Sequence, residues 1–332
     1  MMMQTIKVFF TDFWPGFEKN NFFLKFLESN YNVVIDSNPD YLFCSVYGHN
    51  HLNYSNCIKI LYTAENTVPD FNLFDYALGF HFLQFEDRYL RFPLHVYHSF
   101  YLDKIILDGK SNLENIECSS LLNRKFCNFI YSNSTNSDPI RDKFFLELSK
   151  YKKVDSGGGH LNNMGERVAD KLKFIQNYKF TIAFENSSVN GYTTEKIIEP
   201  MMVNSIPIYF GNTLIHQDYN INSIIEVKNA DDFERAIAEI ILLDQNDEAY
   251  IEKLRQPWIL PENRIELWES NLLSFFQNIF NQPLTKAKRR AEYGYNRYQT
   301  TELKNQNDLY LQHKKNVEKK AKIKSLIFGK NK

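Results

Sequence analysis

Residues 178–212 constrain the fold of this chain more than any other stretch. Phe180, Ile182 and Phe184 alternate with Thr181, Ala183 and Glu185, the period of two that a strand requires, and Ser187, Ser188, Asn190 and Gly191 then break it. Thr193 or Thr194 can cap a helix whose Ile197, Ile198, Met201 and Met202 form one apolar stripe. Residues 206–210 return to extended structure, with Pro207 near the start, where a missing N–H does least harm. Strand, polar loop, helix and strand in this order point free N–H groups and the positive end of a helix dipole into the loop, where a phosphate or carboxylate is stabilised. Lys196 lies in the first helical turn, where the dipole disfavours a cation. Its placement points to an anion nearby; the plainer reading is a solvated lysine.

The same grammar recurs on both sides. Residues 6–10, 31–35, 41–46, 58–62 and 76–80 read as strands, and residues 17–29 as a helix with Phe22, Phe23, Phe26 and Leu27 facing inward. Residues 126–131 begin a second series, followed by a polar loop ending in Asp138-Pro139 and a helix carrying Ile140, Phe144, Phe145 and Leu148 inward. Arg141 lies in the first turn, the slot that Lys196 occupies in its own unit, so two successive strand-loop-helix units offer two cations to clamp a diphosphate. Further helices are expected over residues 170–176, from Asp231 or Asp232 through Leu243, and over 262–280. Gly157-Gly158-Gly159 is a flexible turn without the spacing of a dinucleotide fingerprint. Alternating strands and helices in 332 residues predict a doubly wound α/β chain of two domains, 1–120 and 121–285, with a tail over 286–332 and a polar connection over 102–123.

Two runs carry a family resemblance. Phe184-Glu185-Asn186, Gly191-Tyr192-Thr193-Thr194-Glu195-Lys196-Ile197 and Ile206-Pro207-Ile208-Tyr209-Phe210-Gly211 together resemble the signature of the α-1,3/1,4-fucosyltransferases, glycosyltransferase family ten. Tyr62-Thr63-Ala64-Glu65-Asn66, followed by Pro69-Asp70-Phe71-Asn72-Leu73-Phe74-Asp75-Tyr76-Ala77-Leu78-Gly79-Phe80, is similar to the other marked segment of that family, above all in its bacterial members. The similarity runs over residues 58–257. It implies two Rossmann-like domains of the GT-B type facing across a cleft, the first receiving the acceptor and the second binding GDP-fucose. It implies an inverting transfer of L-fucose to O3 of the N-acetylglucosamine in a lactosamine-type glycan, giving Lewis-type structures of the lipopolysaccharide O-antigen kind. By the same resemblance Glu65 is the catalytic base, Arg141 and Lys196 hold the diphosphate, Glu195 approaches the ribose or the positive charge developing on fucose, and Asn186 and Tyr192 line the nucleotide site. Glu185 stays outside that set, as a partner of the helix N-terminus or as a group that supports the site residues from behind. Two departures, His81 where an acidic residue usually follows Gly79-Phe80 and the absence of carboxy-terminal heptad repeats, leave acceptor choice and assembly open. Another two-domain sugar-nucleotide transferase and a noncatalytic glycan or nucleotide binder are the rival readings.

Charge and composition narrow the remaining classes. The formal net charge of −1 argues against a wholesale nucleic-acid binder, yet residues 285–332 hold 14 Lys plus Arg against 4 Asp plus Glu, which leaves the body acidic. That tail is expected as an amphipathic or unstructured basic arm, either attracted to anionic lipid or simply solvated. No Asp-x-Asp triplet occurs, so the two cations are expected to replace a metal, and His49-x-His51 lacks a third ligand and reads as loop. Four scattered cysteines fit reduced thiols, and neither a signal-peptide core nor a membrane-spanning window is found, so a cytoplasmic protein with peripheral contact at the inner membrane face is expected.

Overall fold

The computed structural model describes residues 3–97, 118–132, 135–259 and 265–328. It divides into two compact units, one of Met1–Leu78, Phe85–Tyr89 and Phe276–Lys332, the other of Gly79–Gln84 and Leu90–Phe275.

The first unit is built on β1 (Thr5–Thr11), β2 (Asn32–Ile35), β3 (Tyr41–Cys44), β4 (Ile58–Tyr62) and β5 (Tyr76–Gly79), joined by the short β6 (Tyr89–Arg91) in the order β2-β1-β3-β4-β5-β6. The pairs from β1 to β5 are parallel. Every residue of β3 and β4 is buried; β3 is a continuous apolar run, as in a strand covered on both faces, whereas β4 carries Lys59 among its apolar residues. The helix expected over 17–29 is divided into a 3₁₀ turn, Phe17–Asn20, and α1, Phe22–Glu28. The break falls at Asn21, which leaves helical geometry and whose side chain accepts from Leu24 N at 3.0 Å. Phe23 then packs on Phe43 and Tyr62, and Phe276 covers Phe23, Phe26 and Phe43.

The second unit holds β7 (Lys125–Phe129), β8 (Val154–Ser156), β9 (Tyr178–Phe184), β10 (Ile206–Phe210) and β11 (Ile225–Glu226), all parallel, in the order β11-β10-β9-β7-β8. The helices that follow β7, β9 and β11 are α2 (Ile140–Ser149), α3 (Glu195–Met202) and α4 (Phe233–Gln245). Phe144, Ile197, Ile198, Met201, Ala236 and Ile240 join the strands in one buried core. The order reverses between β7 and β9, so this is the topological switch point, beyond whose carboxyl ends doubly wound sheets bind their ligands.

Three expectations are corrected. The Arg141 and Lys196 units are not consecutive, because β8 lies between them in sequence; β8 sits at the sheet edge, which leaves β7 and β9 as direct neighbours. The boundary at 285/286 is displaced to 275/276, since Phe276 and Phe280 belong to the aromatic packing of the first unit, and the second unit resumes at Leu90, well before the expected 120/121. The tail is neither separate nor unstructured over its described length. Arg289 and Arg290 donate from their backbone N–H groups to Asp75 Oδ1 at 2.9 and 3.0 Å, Arg290 pairs with that buried carboxylate, and Tyr295–Phe328 forms a 34-residue helix, α5. Most of the expected connection, 102–117, lies outside the described residues; Cys118–Leu122 is helical.

Candidate active site

The loop between β9 and α3 is organised by a carboxylate. Glu185 is fully buried; its Oε1 accepts from Thr194 N at 2.7 Å and its Oε2 from Thr194 Oγ1 at 2.8 Å and Lys196 Nζ at 3.2 Å. Lys196 Nζ also donates to Thr194 Oγ1 at 3.0 Å and lies 3.6 Å from Glu195 Oε1. Burial alone would lower the Lys196 ammonium, but Glu185 and Glu195 hold it well above its ordinary range, so it is kept charged. Burial pushes Glu185 upward while Lys196 opposes, and the half-buried Glu195, raised by burial, is brought below its ordinary value by Lys196 and Lys171. Only glycine fits beside this arrangement. A Cβ on Gly211 would lie 2.5 Å from Glu185 Cγ, and a Cβ on Gly191, at φ +85°, would lie 2.4 Å from the Phe80 carbonyl. Asn212 fastens the loop, its Oδ1 accepting from Gly191 N at 2.7 Å and its Nδ2 donating to Thr193 Oγ1 at 3.1 Å.

Arg141 is the second residue of α2, as Lys196 is of α3. It is 1% exposed, lies 4.0 Å above the Tyr131 ring and donates to Ser137 Oγ at 2.6 Å. Tyr131 Oη accepts from Phe184 N at 2.7 Å at the end of β9. Burial pushes its phenol upward, and the charges of Lys196 and Arg141 both pull it back. The loops also meet directly, through Asp138 N–H donating to the Asn186 carbonyl at 2.8 Å. The glycine run has a use that its spacing did not reveal. A Cβ on Gly158 would fall 2.0 Å from the Tyr131 carbonyl oxygen, so the chain after β8 can lie along Tyr131 only as glycine.

The remaining second-unit candidates divide. Asn186 is exposed, whereas Tyr192 is 3% exposed, with its ring 5.1 Å from that of Phe80 and its carbonyl accepting from Tyr209 Oη at 3.3 Å. Glu65 belongs to the first unit, exposed in the loop after β4. Its Oε1 accepts from Tyr47 Oη at 2.5 Å, its N–H donates to Thr63 Oγ1 at 3.2 Å and its carbonyl accepts from Thr67 N at 2.7 Å. Tyr47 follows β3 and packs edge-on against Trp14, which follows β1. Neither aromatic was singled out from the sequence, although the signal was there: both lie just beyond strand carboxyl ends. His51 is buried and bound to Asp12, whose carboxylate also accepts from Asn50 N and His51 N at 2.9 and 2.8 Å.

Comparison with known proteins gives consistent matches. The profile described as alpha-(1,3)-fucosyltransferase FucT N-terminal domain matches residues 8–98, and that described as glycosyltransferase family 10 (fucosyltransferase) C-term matches residues 122–262. The chain is 31% identical over 315 residues to alpha-(1,3)-fucosyltransferase FucT of Helicobacter pylori, covering 82% of this chain and 66% of that protein. It is 28% identical over 228 residues to GDP-fucose protein O-fucosyltransferase 3 of Danio rerio, covering 64% of this chain and 48% of the relative. The chain thus spans less than two thirds of the length of these relatives. A crystal structure of an alpha1,3-fucosyltransferase with GDP superposes with a TM-score of 0.70 at 29% identity, covering 84% of this chain and 91% of that one. Another, with GDP-fucose, gives 0.68 at 27% identity, covering 85% and 92%.

Proposed function

Because the chain belongs to glycosyltransferase family ten, the fucosyltransferases, we propose that it transfers L-fucose from GDP-fucose to O3 of the N-acetylglucosamine in a lactosamine-type glycan, inverting the anomeric carbon. The observation that carries this reading is the placement of Arg141 and Lys196 as second residues of the helices after β7 and β9, neighbouring strands at a switch point, in loops joined by the hydrogen bond from Asp138 N to the Asn186 carbonyl. Negative charge grows on the diphosphate as its bond to fucose breaks, and cations fixed in advance stabilise it without reorganising. Lys196 meets that requirement because Glu185 and Thr194 already hold its ammonium, and Arg141 because Tyr131 and Ser137 do. Glu195, held as a carboxylate, serves the ribose or the positive charge developing on the sugar. Asn186 offers an exposed amide to the nucleotide, and Tyr192 supports the same loop from its buried side.

A single displacement needs one base and no covalent nucleophile. Glu65 takes the proton of the attacking hydroxyl, steered by its hydrogen bond from Tyr47. With two cations to neutralise the leaving group, transfer requires no divalent metal and persists in a chelator. The products belong to the Lewis type, as in lipopolysaccharide O-antigens. The basic residues along α5 suit peripheral contact with anionic lipid at the inner face of a membrane; among the described residues no helix is long and apolar enough to cross one.

The test is nucleotide release from a panel of sugar nucleotides, with N-acetyllactosamine and with a polypeptide acceptor, in EDTA. Release from GDP-fucose only when the disaccharide is present supports the reading. Turnover of another donor instead, or of the polypeptide alone, overturns the corresponding part. A noncatalytic binder would bind GDP and release nothing.

A further inference from the structure

Strand β4 carries a lysine, Lys59, only 4% exposed. Its backbone N–H donates to Asp75 Oδ2 at 2.8 Å, and among the described residues no hydrogen bond or ion pair holds its ammonium. It opens onto a cavity of about 290 Å³, whose wall includes Arg290, Arg297, Asn296, Thr300 and Thr301. Four of these lie on α5 or its first turns, so backbone N–H groups and the positive end of a long helix dipole border the same space.

The charges around the cavity do not cancel. Arg290 is bound to buried Asp75 and to the carbonyls of Ser55 and Cys57 at 2.8 and 3.0 Å, and Glu292 at the rim is bound to Lys288. Lys59 and Arg297 remain without an ion pair of their own among the described residues, since the one carboxylate that faces Lys59, Asp75, is paired with Arg290. We propose that this cavity binds an oxyanion of the phosphate class, either inorganic phosphate or a phosphate monoester, with Lys59 at its floor and Arg297 at its mouth. The site lies wholly within the first unit and is independent of the residues assigned to fucosyl transfer.

Binding should weaken as pH rises. Burial first, and the charge of Arg290 second, bring Lys59 down to about 8. The other groups facing it are Asp75 and the thiols of Cys44 and Cys57, and burial pushes both thiols above their ordinary range, where they stay neutral. Sulfate is the probe for this dependence, because it does not titrate between pH 7 and 9.

The experiment is calorimetric titration of the full chain, saturated with GDP so that the donor site is filled, with sulfate, phosphate and glucose 1-phosphate at constant ionic strength set by chloride. One saturable equivalent is expected, at least tenfold weaker in Lys59→Met and in the surface variant Arg297→Gln, with sulfate affinity falling from pH 7 to pH 9 in the wild type. Tighter binding of glucose 1-phosphate would identify a monoester ligand, and tighter binding of phosphate the free ion. No saturable binding, or binding that neither substitution changes, would overturn the proposal. Arg297→Gln keeps the test available if Lys59→Met folds poorly.

Discussion

Glu185 and Lys196 form a buried pair in which each residue fixes the state of the other. Glu185→Gln keeps an acceptor for Thr194 N–H but removes the charge that holds Lys196, so kcat/KM for GDP-fucose should fall by about 10–100-fold while far-ultraviolet circular dichroism stays unchanged. Unaltered kcat/KM would show that Lys196 does not depend on its partner. Alternation along β9 was enough to place this carboxylate and to offer it as a partner of the next helix, which its bonds to Thr194 bear out, but not to show its burial or its pairing with Lys196. A period of two marks Glu185 as lying opposite Phe184, on a face that in a half-solvated sheet would meet water; here all of β9 is buried, which only the assembled sheet reveals. His95 gives a second test at this scale. Its burial lowers the imidazole from 6.5 to about 4, with Asp218 opposing and Arg91 adding to the shift. The unfolded chain therefore takes up a proton before the folded one as pH falls, and stability on the order of 3 kcal/mol should be lost between about pH 6.5 and about pH 4. Denaturant titrations across that window should show the slope, and His95→Gln should flatten it.

The elements that carry the site were the legible ones. β4, β7, β9 and β10 are short apolar runs ended by polar loops, and Thr194, the capping residue, was one of two offered by the sequence. β8 escaped because three residues, one of them Asp155, give no periodicity, and the glycines after it read as slack when in fact they permit close approach to Tyr131. α5 escaped because Leu303, Leu309, Leu311 and Val317 are exposed and form no buried stripe that a pattern could announce. The close approaches make a prediction for the loop before α3. Gly191→Ala places a methyl group against the Phe80 carbonyl at a φ that favours glycine, so it should cost about 2 kcal/mol or more in denaturant unfolding and lower turnover with it. A stability equal to wild type would mean that the loop is not held as described.

For the chain as a whole, the two α/β units were readable because each repeats the same strand-helix grammar, while their limits were not. Composition suggested a break where charge changes, at 285/286, yet the first unit recovers residues from Phe276 onward through aromatic and ion-pair contacts that are remote in sequence. Ending the chain after Lys286 removes Arg290 from buried Asp75, and the first unit should lose about 3–5 kcal/mol, whereas ending it after Leu311 keeps that pair and should leave the melting transition nearly unchanged. Equal stability of the two truncations would contradict this role for the segment. The central claim is that Arg141 and Lys196 hold the leaving diphosphate while Glu65 deprotonates the acceptor. NMR analysis of what the wild-type chain and Glu65→Gln make from GDP-fucose and N-acetyllactosamine tests it most directly. The account predicts fucose on O3 of N-acetylglucosamine with inverted anomeric configuration from the wild type, and none from a variant that still binds GDP. Equal product from both, or retention of configuration, would contradict it.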